Sequence, residues 1–240
     1  MLNYKQKIPK ISFPSIKNYS IKGEEEDIVD LRGTSNKIIV NSAYFEQGIP
    51  GAPHSCYLRE TPAKMLITAA EMLPDNLYFM VLDGWRPYVV QRRLWEYYYK
   101  EVKFKPENAG LSIEELELKT SFFVSKPSED ENIPFLHSTG GSVDLTICDS
   151  RGIKLDMGTE FDDFSDKAWT NHFEEYSDNE RVRDNRRLLY NIMIETGFTN
   201  LPSEWWHYDY GTKFWGYFKG TDALYKGKLH MDNIKSFPLT

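Results

Sequence analysis

Histidine and carboxylate side chains give this sequence its clearest capacity for metal chemistry. The stretch LHSTGGSVDLTI, at 136–147, places His137 seven positions before Asp144, with a Gly-Gly turn between them. A catalytic zinc ion usually takes three protein ligands, drawn from histidine and carboxylate, and keeps one position open. The two residues cannot be neighbours on one helix at this spacing, but a turn at Gly140 and Gly141 can make them converge. The stretch therefore predicts two of three zinc ligands.

The third ligand has to come from a distant part of the chain. Among the five histidines, His207 in the segment EWWH is the best candidate because Glu204 stands three residues before it. A carboxylate beside a metal site can take the proton of the attacking water. The remaining three histidines are predicted to be surface residues: His54, His172 and His230. The residues alone therefore favour a metal hydrolase.

Each of these residues also has an ordinary structural interpretation. A lone histidine beside a strand is more often a hydrogen-bonded structural residue, and Glu204 could simply be exposed. A structural role explains Asp144 less well, because aspartate is depleted in strands. Burial of an unpaired carboxylate also costs free energy, so this side chain needs a partner. Other chemistries have less support: the sequence lacks a serine nucleophile elbow and a Gly-rich phosphate loop. Cys148 could act as a thiol with His137, but nothing marks it as activated.

The composition and net charge of the chain limit the kinds of protein it can be. The chain has 240 residues, of which 40% are hydrophobic and 15% aromatic, enough for a sizeable core and for aromatic pocket walls. We expect one domain over residues 28–240, preceded by an N-terminal arm over residues 1–27. A formal charge of -7 argues against nucleic acid as a partner. The sequence shows no signal peptide and no membrane span, which predicts a cytoplasmic location, and it carries no indication of the oligomeric state.

The hydrophobic pattern predicts the elements that position these residues. Strands are predicted at 27–31, 37–40, 77–82 and 141–147, and helices at 61–73, 87–102, 112–124 and 178–196. Thr61 is the predicted N-cap of the helix at 61–73. The segment 104–134 contains an acidic loop and is a candidate lid. Arg86 falls where the strand at 77–82 passes into the next helix, a common place for functional side chains.

Three sequence blocks, in order, resemble the VanX-like D-alanyl-D-alanine dipeptidases, a family of zinc peptidases. These blocks are DGWRP at 83–87, HSTGGSVDLT at 137–146 and EWWHYDYG at 204–211. The resemblance extends to VDLR, CYLRE and DMGTEFDDF, so that it spans most of residues 28–211. It implies an α+β fold with a mainly antiparallel central sheet, helices packed against it, and one zinc ion per chain in a central cleft.

The resemblance also implies residue roles. His137, Asp144 and His207 would bind zinc. Glu204 would be the general base and acid, and Arg86 would support the transition state. Asp162 would receive the free amino group of a dipeptide. Beyond the resemblance, we expect three tryptophans to confine the small side chains of the substrate: Trp85, Trp205 and Trp206. A double tryptophan is more often a packing feature than a chemical one.

The sequence departs from the family at two positions near the substrate. Phe135 replaces a serine two positions before the first histidine, and Arg32 and Gly33 follow VDL where a tyrosine is expected. We therefore predict hydrolysis of D-Ala-D-Ala or a similar short D,D-dipeptide. The alternatives are a D,D-carboxypeptidase or peptidoglycan endopeptidase of the same superfamily, and a zinc-binding recognition module without catalysis.

Overall fold

The computed structural model describes residues 4–12, 16, 19–122, 124–175, 179–230 and 234–236. The strands are β1 (Ile28–Asp30), β2 (Ile38–Val40), β3 (Tyr57–Arg59), β4 (Leu77–Asp83), β5 (Ser142–Asp149), β6 (Thr199–Asn200), β7 (His207–Asp209) and β8 (Ile234–Ser236). The helices are α1 (Ala43–Glu46), α2 (Glu60–Glu71), α3 (Tyr88–Lys103), α4 (Ile113–Thr120), α5 (His172–Glu175), α6 (Glu180–Glu195) and α7 (Lys213–Lys219).

The larger sheet has five strands in the order β2-β4-β5-β7-β6. Strands β2 and β4 pair in parallel, and the other three pairs are antiparallel. A smaller sheet has the order β3-β1-β8. The prediction of a mainly antiparallel sheet combined with helices is therefore confirmed for the larger sheet.

The two faces of β5 have different environments. Val143, Leu145 and Ile147 alternate along the strand and lie fully buried in the main hydrophobic core. Buried residues of α2 and α6 belong to the same core, so these helices cover this face. Because side chains alternate across a strand, Asp144 projects from the opposite face, as the sequence pattern predicts.

Helix α2 begins one residue before the predicted N-cap. Its first residue is Glu60, and Arg59 occupies the N-cap position, so the prediction of Thr61 as the cap is wrong. The physical reason is that Glu26 of the N-terminal segment accepts a hydrogen bond from the Thr61 amide at 2.8 Å. A distant carboxylate thus supplies the acceptor that a capping side chain usually gives.

The long helix near residue 180 confirms the predicted element with adjusted ends. Helix α6 runs from Glu180 to Glu195, and the Asn179 side chain accepts from the Val182 amide at its start. The predicted first residue, at position 178, lies outside the described residues. Gly197, in a left-handed conformation with φ of 102°, follows the end of the helix as predicted.

Strand β4 contains an irregularity that matters for the site. Its pairing with β5 shifts register between Val81 and Asp83, and this shift places Asp83 opposite Asp144. A bulge redirects side chains at the end of a strand. Two carboxylates from adjacent strands are thereby brought to one end of the sheet.

Among the described residues, no helix combines the length and the apolar character needed to cross a bilayer.

Candidate metal centre and substrate cavity

His137 lies on a short 3-10 helix that precedes β5. This helix, Leu136–Thr139, ends at Gly140, which has a left-handed φ of 71°. The Nδ1 atom of His137 lies 2.7 Å from the carbonyl oxygen of Gly84. Because a carbonyl can only accept, Nδ1 donates its proton to Gly84, and Nε2 faces the other candidate ligands.

Asp144 and His207 come together through strand pairing. They are directly opposite each other in the antiparallel register of β5 and β7. Side chains at opposed positions project from the same face of a sheet. The Nδ1 atom of His207 lies 3.0 Å from Oδ1 of Asp144 and 3.2 Å from Nε2 of His137.

The three predicted ligands have the composition and spacing of a zinc site. His137, Asp144 and His207 are all buried, and their ligand atoms lie within 4.8 Å of one another. The remaining close pair, His137 Nε2 and Asp144 Oδ2, is separated by 3.2 Å. Tetrahedral coordination at about 2.0–2.2 Å from zinc spaces ligand atoms roughly 3.3 Å apart. Two imidazoles and one carboxylate at these separations therefore fit the ion.

Electrostatics in the metal-free protein agree with this grouping. Burial opposes ionisation of Asp144, but the charges and hydrogen bonds of His137 and His207 hold its pKa below the ordinary value. The carboxylate is therefore ionised at neutral pH, as a metal ligand must be.

Glu204 lies on the turn between β6 and β7. Its Oε2 atom is 3.8 Å from Nδ1 of His207. The side-chain amide of Asn200 donates to the main-chain carbonyls of both Glu204 and His207, each at 3.0 Å, and so fixes the turn. Burial raises the pKa of Glu204 to about 7, although the nearby His207 opposes the increase. A carboxyl with this pKa can take and return a proton near neutral pH.

Arg86 is buried and held from two sides. Its Nε donates to Oδ2 of Asp83 at 2.7 Å, and its Nη1 donates to Oε1 of Gln91 at 2.8 Å. Its Nη2 lies 3.5 Å from Oδ2 of Asp144. Two fixed contacts leave the Nη2 side of the guanidinium directed toward the candidate metal ligands.

Asp162 lies across the cavity on the loop after β5. It has a left-handed backbone with φ of 62°, unusual for a residue other than glycine. Tyr44 donates to its Oδ2 at 3.0 Å, and the same tyrosine ring packs against the guanidinium of Arg86, 4.8 Å from the ring centroid. Burial raises the pKa of Asp162 to about 8.

One small cavity, of about 60 Å³, is lined by every predicted site residue except the three tryptophans. Its lining includes the three candidate ligands together with Arg86, Asp162 and Glu204. Aromatic and aliphatic side chains form much of the rest of the wall: Tyr44, Leu94, Tyr98, Val124, Phe135, Leu136, Phe164 and Leu201. Ser125, from the segment at 104–134, also lines the cavity, and its main-chain carbonyl accepts from the Gln91 side chain at 2.6 Å.

The three tryptophans predicted to confine the substrate lie elsewhere among the described residues. Trp85 packs with Ile28 and donates to the Lys228 carbonyl at 2.8 Å. Trp205 and Trp206 are buried in the main core. Their bulk suits them to the core, so the sequence pattern WW indicates packing here. The walls of the cavity come from other aromatic residues.

Several residues beside the site were not singled out from the sequence. Asp83 was visible in the DGWRP block, and Asp209 follows His207 on the same face of its strand. Tyr44 and Gln91 carry no local signal, because only the tertiary fold brings them to Asp162 and Arg86.

Comparisons with known proteins agree with this geometry. A family model described as D-Ala-D-Ala dipeptidase matches residues 53–226. The chain is 27% identical over 164 residues to the D-alanyl-D-alanine dipeptidase of Synechocystis sp., 40% over 73 residues to that of Escherichia coli, and 30% over 149 residues to that of Enterococcus faecium. These alignments cover 63%, 30% and 61% of this chain. They span 66%, 36% and 69% of the respective relatives.

The family match covers more than half of the chain and includes every residue of the candidate centre. The buried cluster of two histidines and one aspartate suits the metal that such peptidases use. The chain therefore belongs to the D-Ala-D-Ala dipeptidase family of metallopeptidases.

Proposed function

We propose that this protein hydrolyses D-Ala-D-Ala or a similar short D,D-dipeptide in a zinc-dependent reaction. The observation that carries the proposal is the convergence of His137, Asp144 and His207 in the cavity that also contains Glu204 and Arg86. Metal ligands alone would also suit a recognition module. A base with a pKa of about 7 and a buried arginine beside the ligands support catalysis.

Each side chain has a distinct task in this proposal. His137, Asp144 and His207 hold one zinc ion, which when bound supplies Lewis-acid polarisation of the scissile carbonyl and of the attacking water. Glu204 accepts a proton from the attacking water as the water oxygen bonds to the carbonyl carbon. Arg86 donates to the carbonyl oxygen as negative charge develops on it. Glu204 then delivers the proton to the leaving amine as the C–N bond breaks.

Asp162 binds the amino end of the substrate. Its carboxylate lies in the same cavity and is held by Tyr44, so it can pair with the ammonium group of a dipeptide. A bound ammonium also favours the ionised carboxylate, against the burial that raises its pKa. The aromatic and aliphatic wall of the cavity suits a substrate with small methyl side chains.

A second cavity gives the carboxypeptidase alternative a specific basis. This groove, of about 480 Å³, is lined by Asp162, Leu94 and Tyr98, which also line the first cavity. Gln47, Gly48, Ile49, Pro50, Arg93 and Tyr97 form the rest of it. A peptide extended at its amino end could continue past Asp162 into this groove.

The test compares three substrates with metal-free and zinc-reconstituted protein. We expect turnover of D-Ala-D-Ala only after zinc is restored, with little turnover of N-acetyl-D-Ala-D-Ala or L-Ala-L-Ala. The Glu204→Ala variant is expected to lose activity by a factor of about 100 or more while still binding zinc. Full activity in the metal-free protein would refute the proposal. Preference for the acetylated or a longer peptide would favour the carboxypeptidase.

A further inference from the structure

The two histidines of the centre face it with opposite ring nitrogens. His137 uses Nε2 and is held from behind by a main-chain carbonyl at Nδ1. His207 uses Nδ1, so its Nε2 points away from the cluster. The atom behind this Nε2 is a carboxylate oxygen, Oδ2 of Asp209, at 3.1 Å.

Asp209 is fully buried, with 0% of its surface exposed. Its other oxygen, Oδ1, accepts from the hydroxyl of Ser142 at 2.7 Å. Ser142 and Asp209 are opposed residues of β5 and β7, so the strand pairing that joins Asp144 to His207 also fixes Asp209. The carboxylate is therefore held rigidly in place.

The contact of His207 with Asp209 explains two otherwise isolated polar atoms. Nε2 of His207 and Oδ2 of Asp209 are buried, and within the described residues neither makes a hydrogen bond of good angular geometry. The two atoms form an ion-pair contact at 3.1 Å, in which the N–H bond does not point straight at the carboxylate oxygen. Buried polar atoms are normally paired, and at 3.1 Å each of these two is the partner of the other.

We infer that Asp209 is a positioning residue for the metal ligand His207. It holds the proton of His207 on Nε2 and thereby keeps the Nδ1 lone pair directed at the ion. A carboxylate behind a ligand histidine fixes the ring orientation and increases its basicity, and loss of such a partner typically weakens metal binding by about 10- to 100-fold. The inference rests on the proposed zinc site, but its test needs no substrate.

Zinc affinity is measured by competition with a chromophoric chelator at constant pH. We compare the wild type with Asp209→Ala and with Asp209→Asn, which keeps the size of the side chain and a partner for Ser142 but removes its charge. Both variants are expected to bind zinc about 10- to 100-fold more weakly. Asp149→Asn is the matched control, because it removes the charge of another β5 carboxylate, which pairs with the exposed Arg151 away from the site, and a change of less than about threefold is expected for it.

Two further readouts separate positioning from a structural role. Urea unfolding of the metal-free proteins measures their stability without zinc. In Asp209→Asn we expect the zinc affinity to fall even where the metal-free stability equals that of the wild type. In the zinc-loaded wild type, proton–nitrogen NMR should show a protonated Nε2 on His207 with a downfield, slowly exchanging proton. That proton should move upfield and exchange faster in both variants.

The outcomes distinguish this inference from the proposed function. Absence of zinc binding by the wild type would refute the proposed metal centre itself. Tight zinc binding by the wild type, with both Asp209 variants within about threefold of it, would overturn the positioning role and leave the centre intact.

Discussion

Asp83 holds Arg86 by a hydrogen bond of 2.7 Å between Oδ2 and Nε, within a site where both side chains are buried. The bond exists because the bulge at the end of β4 turns Asp83 toward the site. A guanidinium fixed at one end in this way presents its remaining donors in one direction, which is what stabilisation of a developing oxyanion requires.

Substitution of Asp83 by Asn is therefore expected to lower kcat by about 10- to 100-fold, because Arg86 loses an ionic anchor and a small displacement of a catalytic group is costly. Steady-state kinetics on D-Ala-D-Ala measure the effect. Asp149→Asn is the control, because Asp149 pairs with Arg151 at the surface, where 75% of the arginine side chain is exposed. An unchanged kcat in Asp83→Asn would show that Arg86 needs no such anchor.

Tyr44 is expected to contribute to substrate binding. In Tyr44→Phe, Asp162 loses its 3.0 Å hydrogen bond while the ring beside Arg86 remains. KM for the dipeptide should increase by about 10-fold, with a smaller effect on kcat, since a lost hydrogen bond to a charged group costs about 1.5 kcal/mol. Tyr217→Phe, at a half-exposed tyrosine of α7, serves as the control. A lower kcat at constant KM would place Tyr44 in the chemical step instead.

The raised pKa of Glu204 predicts a cost in stability for the metal-free protein. Its folded-state pKa, about 7, exceeds the ordinary value of 4.5. Between these values the folded chain binds more protons than the unfolded chain, so stability falls as pH rises through this window. Glu204→Gln should remove that loss and stabilise the metal-free protein at pH 8 by about 3 kcal/mol.

Urea unfolding in the presence of a chelator, at pH 5 and pH 8, tests this expectation. The variant should have a higher free energy of unfolding than the wild type at pH 8. At pH 5 the two values should be nearly equal. Glu96→Gln, on the exposed face of α3, is the matched control and should change neither value. Equal destabilisation of Glu204→Gln at both pH values would contradict the account.

Gly141 is expected to tolerate no side chain. A Cβ at this position would lie 2.1 Å from the main-chain oxygen of Tyr210, where β5 and β7 meet. Gly141→Ala should lower the free energy of unfolding by at least about 2 kcal/mol and weaken zinc binding, because Asp144 and His207 depend on this strand pairing. Gly110→Ala meets no atom within 4 Å and should cost only backbone strain. Equal effects of the two substitutions on unfolding and on zinc affinity would contradict this role for Gly141.

Local pattern predicted the elements better than their boundaries. The alternation Val143, Asp144, Leu145 predicted which face of β5 is buried, because the period of a strand leaves a carboxylate on the opposite face. The N-cap of α2 was misplaced by two residues because Glu26 caps the helix from a distant segment. Such a cap has no signature within the helix itself.

The candidate site shows the same difference between what local sequence predicts and what only long-range contacts decide. The histidine, aspartate and glutamate of the centre could be selected by residue type, spacing and family resemblance. The pairing of β5 with β7 is a long-range contact, so the contact of Asp209 with Ser142 became visible only in three dimensions. Tyr44 likewise reaches Asp162 only through the tertiary fold. The tryptophans were misplaced because a large aromatic side chain suits a pocket wall and a hydrophobic core equally well.

The central claim is that His137, Asp144 and His207 share one zinc ion. X-ray diffraction data collected on either side of the zinc absorption edge, from crystals of the zinc-reconstituted protein, test it most directly. We predict one anomalous peak per chain, about 2.0–2.2 Å from Nε2 of His137, an oxygen of Asp144 and Nδ1 of His207. A zinc peak located elsewhere, or bound through other side chains, would contradict it.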